Sequence, residues 1–501
     1  MRWAERSCRR SFPRNLQPRL LRRHNRSYRR PRVSGNYSTC TAPKPRMNHS
    51  IKADTLIQLP GKDRFLARKF IQALGLRICV LLVGFATSVL LARILGPTEF
   101  GYYLFAFSLM TLIAIPVQAG MPMLITKKLP QYDHGEQHPL IKGLLIQCAF
   151  LIVIFSAIAI AGINTFNLWW FRTSGGYEGM EVVVWGSLLI PLIAFATLSG
   201  AAIRSLQRHF VGQAVETALR QALLLALIGS LSIIFNSAFS LDATQAMILH
   251  ILAGLATALI GWLALAHTFT FDWHKVSVHF KTRQWLKNLA PLAVIAGMTV
   301  ILGKTDIIML RILAGADEVA HYYVAAQFGM LVFISAQGVR LVNGPLLARE
   351  AKTGNRPYMQ RIYSQGALFV FLTTIPTAMI LILFGRPIIE LIFGAPFIAA
   401  YAAVIVFSVG YMLQALFGTT EIILKIMDHE ATIVRAFAVA IVANILINAI
   451  LIPPLGIFGA ALASMTVTIA SKLYLSLQIY RKIGIRAFAI IPRASLSGPG
   501  Q

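Results

Sequence analysis

Charged side chains are scarce in this sequence. Only 13% of its 501 residues are Asp, Glu, Lys or Arg, whereas 56% are hydrophobic and the mean hydropathy is +0.65. A soluble domain could not hide so much apolar surface, so lipid must solvate most of the chain. The composition therefore excludes a soluble globular protein and predicts a membrane protein.

Cysteine is also scarce, with four residues in the whole chain. Two lie in apolar segments and two near the N-terminus, and none forms a CxxC or Cys/His cluster. This excludes a disulfide framework, and we expect no metal site and no cofactor. Three histidines have no partner at ligand spacing, and we expect them in exposed loops: His209, His250 and His429.

Long apolar runs dominate what is present. A membrane-spanning helix needs ~20 apolar residues, and twelve segments reach that length. The fifth is the weakest, because Glu216 and Arg220 lie in its first turns. The predicted spans are 70–92, 101–126, 140–163, 182–203, 213–236, 243–266, 286–312, 321–346, 363–385, 397–420, 432–453 and 456–480.

The net charge of +28 is typical of nucleic-acid binding, but its placement favours another interpretation. Residues 1–69 hold 19 Lys and Arg, and the loops after even-numbered spans, with the tail, hold 20. The loops after odd-numbered spans hold four. The positive-inside rule then places both termini in the cytosol. We expect a multi-pass protein of the inner (cytoplasmic) membrane with no nucleic-acid partner.

The N-terminal segment 1–46 carries twelve Arg within its first 32 positions and has no apolar run, so it is no signal peptide. It fits an organellar transit segment, a cytosolic arm attracted to anionic lipid, or upstream sequence before a true start at Met47. We favour the last interpretation. We expect 1–46 to be disordered and 47–69 to be an amphipathic cytosolic lead.

Two hairpins between apolar spans repeat each other. Residues 93–103 read RILGPTEFGYY and residues 311–322 read RILAGADEVAHY. With one residue inserted at Ala314, Arg, Gly, Glu and Tyr recur at matching places. Internal repeats are typical of transporters built from two similar halves, with the substrate path at their interface. Glu99 and Glu318 recur in the hairpins, and we expect them to cap helix N-termini.

The segment LLARILGPTEFGYYLFAFSL resembles the signature of Wzx-type polysaccharide and oligosaccharide flippases, including O-antigen flippases. These belong to the multidrug/oligosaccharidyl-lipid/polysaccharide exporter (MOP) superfamily. Further segments resemble the same family: GKTDIIMLRILAGADEVAHYYVAA, LFGRPIIELIFGAPFIAAYAAVIVFSVGYMLQALFGTT and NILINAILIPPLGIFGAALAS. The resemblance covers roughly residues 65–480. Ala320 departs from the family, which usually has Gly there.

This resemblance implies an all-α membrane protein with a MATE-like fold. Two six-helix bundles, 70–266 and 286–480, would form a V on either side of the linker 267–285, followed by a basic tail 481–501. The implied activity is alternating-access transfer of an isoprenoid-diphosphate-linked oligosaccharide to the outer leaflet, for surface polysaccharide biosynthesis. A polysaccharide polymerase and chain-length machinery are candidate partners. H⁺ and Na⁺ are candidate coupling ions.

Charged residues inside spans are costly and are functional candidates by default. A diphosphate headgroup needs fixed cations, and Arg offers two-pronged phosphate contacts. Arg77, Arg340 and Lys472 lie at similar depth in the cytosolic half, where they form a basic ring if they face the cavity. The alternative is that each snorkels to the interface.

Lys304 and Asp306 lie in the outward half of span 7, away from the cytosolic side. They are two positions apart, so they do not face each other on a regular helix. We expect Lys304 to line the cavity with the basic ring, and Asp306 to partner a cation or to titrate during ion coupling. The alternative is that they form structural ion pairs with other spans. These intramembrane cations outnumber the acid Asp306 by four to one, which favours an anionic cargo.

Two other functions share parts of this pattern. A cation-coupled small-molecule or multidrug exporter has the same fold, but an acidic aromatic cavity would favour it more. A membrane glycosyltransferase or polymerase usually carries acidic catalytic residues on a large outer loop. Here the longest outer loop, about 164–181, offers only Glu178 and Glu181. We therefore expect a transporter and not an enzyme.

Overall fold

The structure is a computed structural model that describes residues 61–174, 178–235, 241–269 and 275–489. These residues are helical almost throughout and belong to one compact unit. The predicted disordered segment 1–46, most of the lead 47–69 and residues 490–501 of the tail lie outside the described residues. The helices are α1 (Gly61–Gln118), α2 (Met121–His134), α3 (His138–Ser174), α4 (Met180–Gly186), α5 (Leu189–Ser205), α6 (His209–Gln213), α7 (Leu219–Phe235), α8 (Ala243–Ala266), α9 (Thr282–Leu313), α10 (Ala316–Val332), α11 (Ile334–Thr353), α12 (Arg356–Phe393), α13 (Tyr401–Ala415), α14 (Thr420–Ile426) and α15 (Glu430–Ile483).

Among the described residues, nine helical segments are long and apolar enough to cross a membrane. The pair α10 and α11, bent by 46°, gives a tenth. Two of the nine, in α1 and α15, each contain two predicted spans separated at a glycine. This arrangement is consistent with twelve crossings. The multi-pass all-α prediction is confirmed, while the exact number of crossings and the boundaries of the two bundles stay predictions.

Glycine breaks both long helices, α1 at the first predicted hairpin and α15 between the last two predicted spans. Gly96 has φ 72° and divides α1, and Gly456 has φ 53° and divides α15. Gly315, the counterpart of Gly96 in the repeat, has φ 115° between α9 and α10. Only glycine adopts these angles without strain. We call the end of the molecule that carries Gly96 and Gly315 the hairpin end.

The two repeated glutamates make the same contact in each half of the chain. A carboxylate oxygen of Glu99 accepts a 2.8 Å hydrogen bond from the backbone N–H of Ala243, the first residue of α8. Glu318 accepts a 2.9 Å bond from the N–H of Ile457, directly after the break at Gly456. Both side chains therefore cap a helix N-terminus, as predicted, but the helix is a distant one. The negative charge of each carboxylate also interacts favourably with the positive N-terminal end of the helix that it caps.

We expect Glu99→Gln and Glu318→Gln each to lower the free energy of unfolding by about 1 kcal/mol, the usual contribution of a helix cap. The amide keeps an oxygen acceptor but loses the charge that the helix dipole favours. Thermal unfolding in detergent measures the change. Glu390→Gln is the matched control, because Glu390 is exposed on α12. Equal shifts in all three variants would contradict the capping role.

The predicted weak fifth span is irregular. A π-helical turn, Ala214–Ala218, joins α6 to α7 and widens the helix by one residue just before Arg220. Glu216, within this turn, forms an ion pair with Arg204 of α5. This ion pair neutralises Glu216, one of the two charges that made the fifth predicted span weak. The other charge, Arg220, does not take part in it.

Candidate functional site

A basic cluster surrounds the ring of Phe107, which lies in the part of α1 that follows the break at Gly96. The guanidinium carbon of Arg220, from α7, lies 5.2 Å from the ring centroid, and Lys304 Nζ, from α9, lies 5.5 Å from it. His250 of α8 packs its ring 5.0 Å from the same centroid. The two cations come from the two halves of the chain. We call these four residues the Phe107 cluster.

Among the described residues, no carboxylate pairs with Arg220 or Lys304. Within the part of the chain that the structure describes, Lys304 Nζ has one hydrogen-bonding contact, with the hydroxyl of Ser108 at 3.5 Å. The buried Nη1 of Arg220 has no hydrogen-bond partner among the same residues. Buried cations are costly unless they are paired. Two of them held beside one aromatic ring, with donor atoms to spare, are suited to binding an anion.

His250 is 3% exposed, so the expectation that it lies in an exposed loop is wrong. It shares a 2.7 Å hydrogen bond with Tyr103, and no described residue forms a hydrogen bond with its Nε2. The repeat explains its position: the spacing from Ala243 to His250 equals that from Ile457 to Ser464, which contacts Tyr322 in the same way at 3.2 Å. The two halves thus build matching polar pairs from Tyr103 and Tyr322.

A second cluster encloses Asp306, which is 4% exposed. Its Oδ1 accepts hydrogen bonds from the amides of Asn444 and Asn448, at 3.0 and 2.7 Å. Its Oδ2 accepts bonds from the hydroxyls of Tyr322, at 2.8 Å, and Ser464. We call this arrangement the Asp306 cage. All four donors are neutral, and none of the described residues forms an ion pair with Asp306.

A third cluster joins two of the predicted ring residues through a carboxylate. Lys472 is 4% exposed, and its Nζ donates a 2.7 Å bond to Glu421 of α14. Arg340 Nη2 lies 3.7 Å from the other oxygen of Glu421. We call these residues the Glu421 triad. The count of four interior cations to one acid is therefore wrong. Glu421 lies just past the predicted tenth span, and its carboxylate is a second acid among these cations.

Burial alone would raise the pKa of Glu421. The ammonium of Lys472 and the guanidinium of Arg340 outweigh that effect and lower the pKa to about 2. The folded-state pKa of Glu421 lies below the ordinary value of 4.5, so the ionised carboxylate stabilises the folded protein above that pH. This stabilisation is lost as the pH falls towards about 2. We expect the stability that the triad provides to be constant between about pH 5 and pH 8.

Glu421→Gln should lower the free energy of unfolding by about 3 kcal/mol, because it leaves Lys472 buried without an anion. Adding Lys472→Met should restore most of that loss, since it removes the uncompensated charge. Chemical or thermal unfolding in detergent compares the two variants. A double variant less stable than Glu421→Gln alone would contradict this account.

The structure distributes the predicted site residues over separate places. Lys304 joins the Phe107 cluster, Asp306 lies in its own cage, and Arg340 and Lys472 share the triad. Arg77 lies within α1, and its side chain is outside the described residues. Lys304 and Asp306 make contacts with different helices, as their spacing predicts. Sequence reasoning missed Arg220 as a site residue, although a charge inside an apolar segment is the signal that identifies such residues.

The fold and its charged interior define a class: multi-pass helical membrane proteins with charged side chains between their helices. The model of the family described as "Polysaccharide biosynthesis protein" matches residues 66–339, and the chain belongs to this family. The resemblance found in the sequence is therefore confirmed. The chain is also similar to a probable low-salt glycan biosynthesis flippase from Haloferax volcanii, with 23% identity over 74% of this chain and 75% of that protein.

Two solved structures share the fold. An inward-facing multidrug resistance MATE family transporter of the MOP superfamily matches with a TM-score of 0.66 and 14% identity, over 80% of this chain and 95% of that chain. The lipid II flippase MurJ, in an inward closed conformation, matches with a TM-score of 0.64 and 16% identity, over 81% and 86%. The predicted MATE-like fold is confirmed.

Proposed function

We propose that the protein is an alternating-access flippase that carries an isoprenoid-diphosphate-linked oligosaccharide from the cytosolic to the outer leaflet. Membership of the polysaccharide biosynthesis family supports this proposal, as does the similarity to a probable glycan biosynthesis flippase. The lipid tail can remain in the bilayer, while the charged and hydrated headgroup needs a polar route through ~30 Å of hydrocarbon.

The observation that carries the proposal is the Phe107 cluster. A diphosphate brings negative charge and several acceptor oxygens. Arg220 and Lys304 offer two cations without a carboxylate beside them, and the guanidinium of Arg220 has an unused donor. Because the two cations belong to different halves, the contacts of an anion held between them would change when the halves move relative to each other. An exporter of cationic drugs would need the opposite charge at this place.

The Asp306 cage is our candidate for the coupling-ion site. Four neutral donors hold this carboxylate, and a coupling ion bound there would supply the positive charge that they lack. The cage also offers hard oxygen ligands, since the amides of Asn444 and Asn448 can present their oxygens and Ser464 and Tyr322 present hydroxyls. Both H⁺ and Na⁺ fit these groups.

Lys472 would contact a phosphate by exchanging the carboxylate of Glu421 for it, whereas the side chain of Arg340 keeps exposed surface beside that carboxylate. They therefore fit a cytosolic capture step before transfer to the Phe107 cluster, and Arg77 is a candidate for the same step. In this proposal the termini are cytosolic, the membrane is the inner (cytoplasmic) membrane, and a polymerase and chain-length machinery use the product.

The test is leaflet transfer in liposomes that contain the purified protein and a fluorescent isoprenoid-diphosphate sugar. We expect protein-dependent transfer, measured as label that becomes accessible to an impermeant quencher. A matched lipid with a neutral headgroup should not be transferred. Efflux of cationic dyes without transfer of the diphosphate lipid would refute the flippase and support the exporter.

A further inference from the structure

The two hairpin arginines make reciprocal contacts across the molecule. Arg93 belongs to the first half, and its Nε donates a 2.8 Å bond to the carbonyl of Ile392 while its Nη2 bonds the carbonyl of Leu391. Both carbonyls lie at the C-terminal end of α12, in the second half, where a helix leaves its last carbonyls without partners. The dipole at that end also attracts a cation.

Arg311 occupies the matching position in the repeat and reaches in the opposite direction. Its Nη2 donates a 2.9 Å bond to the carbonyl of Glu178, in the first half. Its guanidinium also lies 5.1 Å from the ring centroid of Tyr102, whose hydroxyl donates a 2.6 Å bond to the Glu178 carboxylate. Each half therefore sends one arginine to the other half at the hairpin end.

Beneath the arginines the two hairpins are in close backbone contact. A Cβ atom added at Gly101 would lie 2.0 Å from the carbonyl oxygen of Ala316, a distance that no side chain tolerates. Gly101 follows the break in α1, and Ala316 begins α10. The absence of a side chain at Gly101 is therefore what allows the two halves to meet here.

Aromatic rings fill the next layer inward. Phe85 lies 5.7 Å from Phe393, and Phe100 lies 5.9 Å from Tyr323, both distances between ring centroids. Each of these pairs joins the first half to the second. We call the following set the aromatic plug: Phe85, Phe100, Tyr323, Phe328, Phe393 and Phe397.

A polar layer adjoins the plug. Gln327 donates hydrogen bonds to Ser88, at 2.9 Å, and to Tyr323, at 3.0 Å. Ser88 belongs to the first half and the other two residues to the second. Ser88 lies five residues before Arg93 in α1, which is about 7.5 Å along the helix axis. The hairpin end is therefore closed by successive layers that all bridge the halves.

We propose that Arg93 and Arg311, with Gly101 and the aromatic plug, form the outer gate of this transporter. This inference rests on the proposed function and on the orientation predicted from the charge pattern. The gate opens when both arginines release their carbonyls and the halves separate at the hairpin end. Arg93 and Arg311 occupy matching positions in the repeat, and both of their contacts join the same two halves. Neither contact involves the substrate, so each holds the gate closed whether or not substrate is bound.

The gate is tested by thiol labelling from the outside. Ser88→Cys, in a background whose four native cysteines are Ser, places a thiol below the arginines. We expect slow reaction with an impermeant maleimide in intact cells. Adding Arg93→Gln or Arg311→Gln should raise the labelling rate about tenfold, the effect of losing one charge-assisted hydrogen-bonded contact, and the two together about a hundredfold.

Gly101→Ala opens the gate by a different cause, because its methyl group separates the hairpins without touching either arginine. It should also raise labelling of Ser88→Cys, which keeps the proposal testable if an arginine variant does not fold. Arg386→Gln is the matched control, since Arg386 is exposed on α12. Labelling within twofold of the background in the folded arginine and Gly101 variants, or an equal rise in the control, would overturn the gate.

Labelling does not require substrate, so the gate and the proposed function can fail separately. Increased labelling together with no transfer of any diphosphate lipid would support the gate and refute the flippase. Normal transfer with unchanged labelling in these variants would refute the gate alone.

Discussion

Asp306→Asn is expected to lower leaflet transfer about a hundredfold while the protein stays folded. That is the upper range for the loss of one coupling free energy between two sites. Asparagine has nearly the same shape, and the hydroxyls of Tyr322 and Ser464 can turn from donors to acceptors for its amide. The cage should therefore persist while its charge is lost.

The measurement is initial transfer in liposomes under a proton gradient, a sodium gradient, or neither. The wild type should respond to one gradient, and that response should vanish in Asp306→Asn. Asp317→Asn is the control, because it makes the same substitution at an exposed carboxylate outside the cage, and its ion response should remain. Undiminished, gradient-dependent transfer by Asp306→Asn would refute a coupling role for this carboxylate.

The second large effect is expected at the Phe107 cluster. Replacing Arg220 and Lys304 together with Gln should lower transfer of the diphosphate lipid about a hundredfold. Each cation contributes a charge-assisted contact to the phosphates, and losing one such contact costs about 1.5–3 kcal/mol, or tenfold and more. Stability should not fall, because the variant removes two half-buried charges for which the described residues supply no anionic partner.

Two comparisons separate binding from folding in that experiment. Arg208→Gln with Lys287→Gln removes the same two residue types from exposed positions and should transfer normally. Arg220→Lys with Lys304→Arg keeps both charges and should retain more transfer than the Gln pair. Equal transfer by the Lys/Arg exchange and the Gln pair would show that shape, and not charge, matters at Phe107.

Local sequence features predicted the fold well. Apolar run length and the hairpin repeat predicted the helices, and Gly96 and Gly456 break the chain where the runs meet. The repeat also predicted that Glu99 and Glu318 act as caps, because a carboxylate beside a hairpin has few other uses. Their actual partners, Ala243 and Ile457, lie far along the chain, and only tertiary packing brings them together.

The site was harder to predict, because its geometry depends on contacts between halves. Lys304 was recognised as an intramembrane charge, but its neighbour Arg220 was read only as a weakness in an apolar run. Glu421 lies just beyond a predicted span, so the sequence did not show that it folds back to neutralise Lys472. Where charges meet depends on helix rotation and packing, and a one-dimensional pattern contains little of either.

The π-helical turn at Ala214–Ala218 sets the angular position of Arg220. One residue corresponds to about 100° of rotation around a helix axis. Deleting a single alanine there would restore regular winding and turn the rest of α7, so that the guanidinium would face a different neighbour. Among related chains, a change in the length of this short stretch would therefore change which side chain of α7 faces Phe107 without changing the identity of any residue in α7.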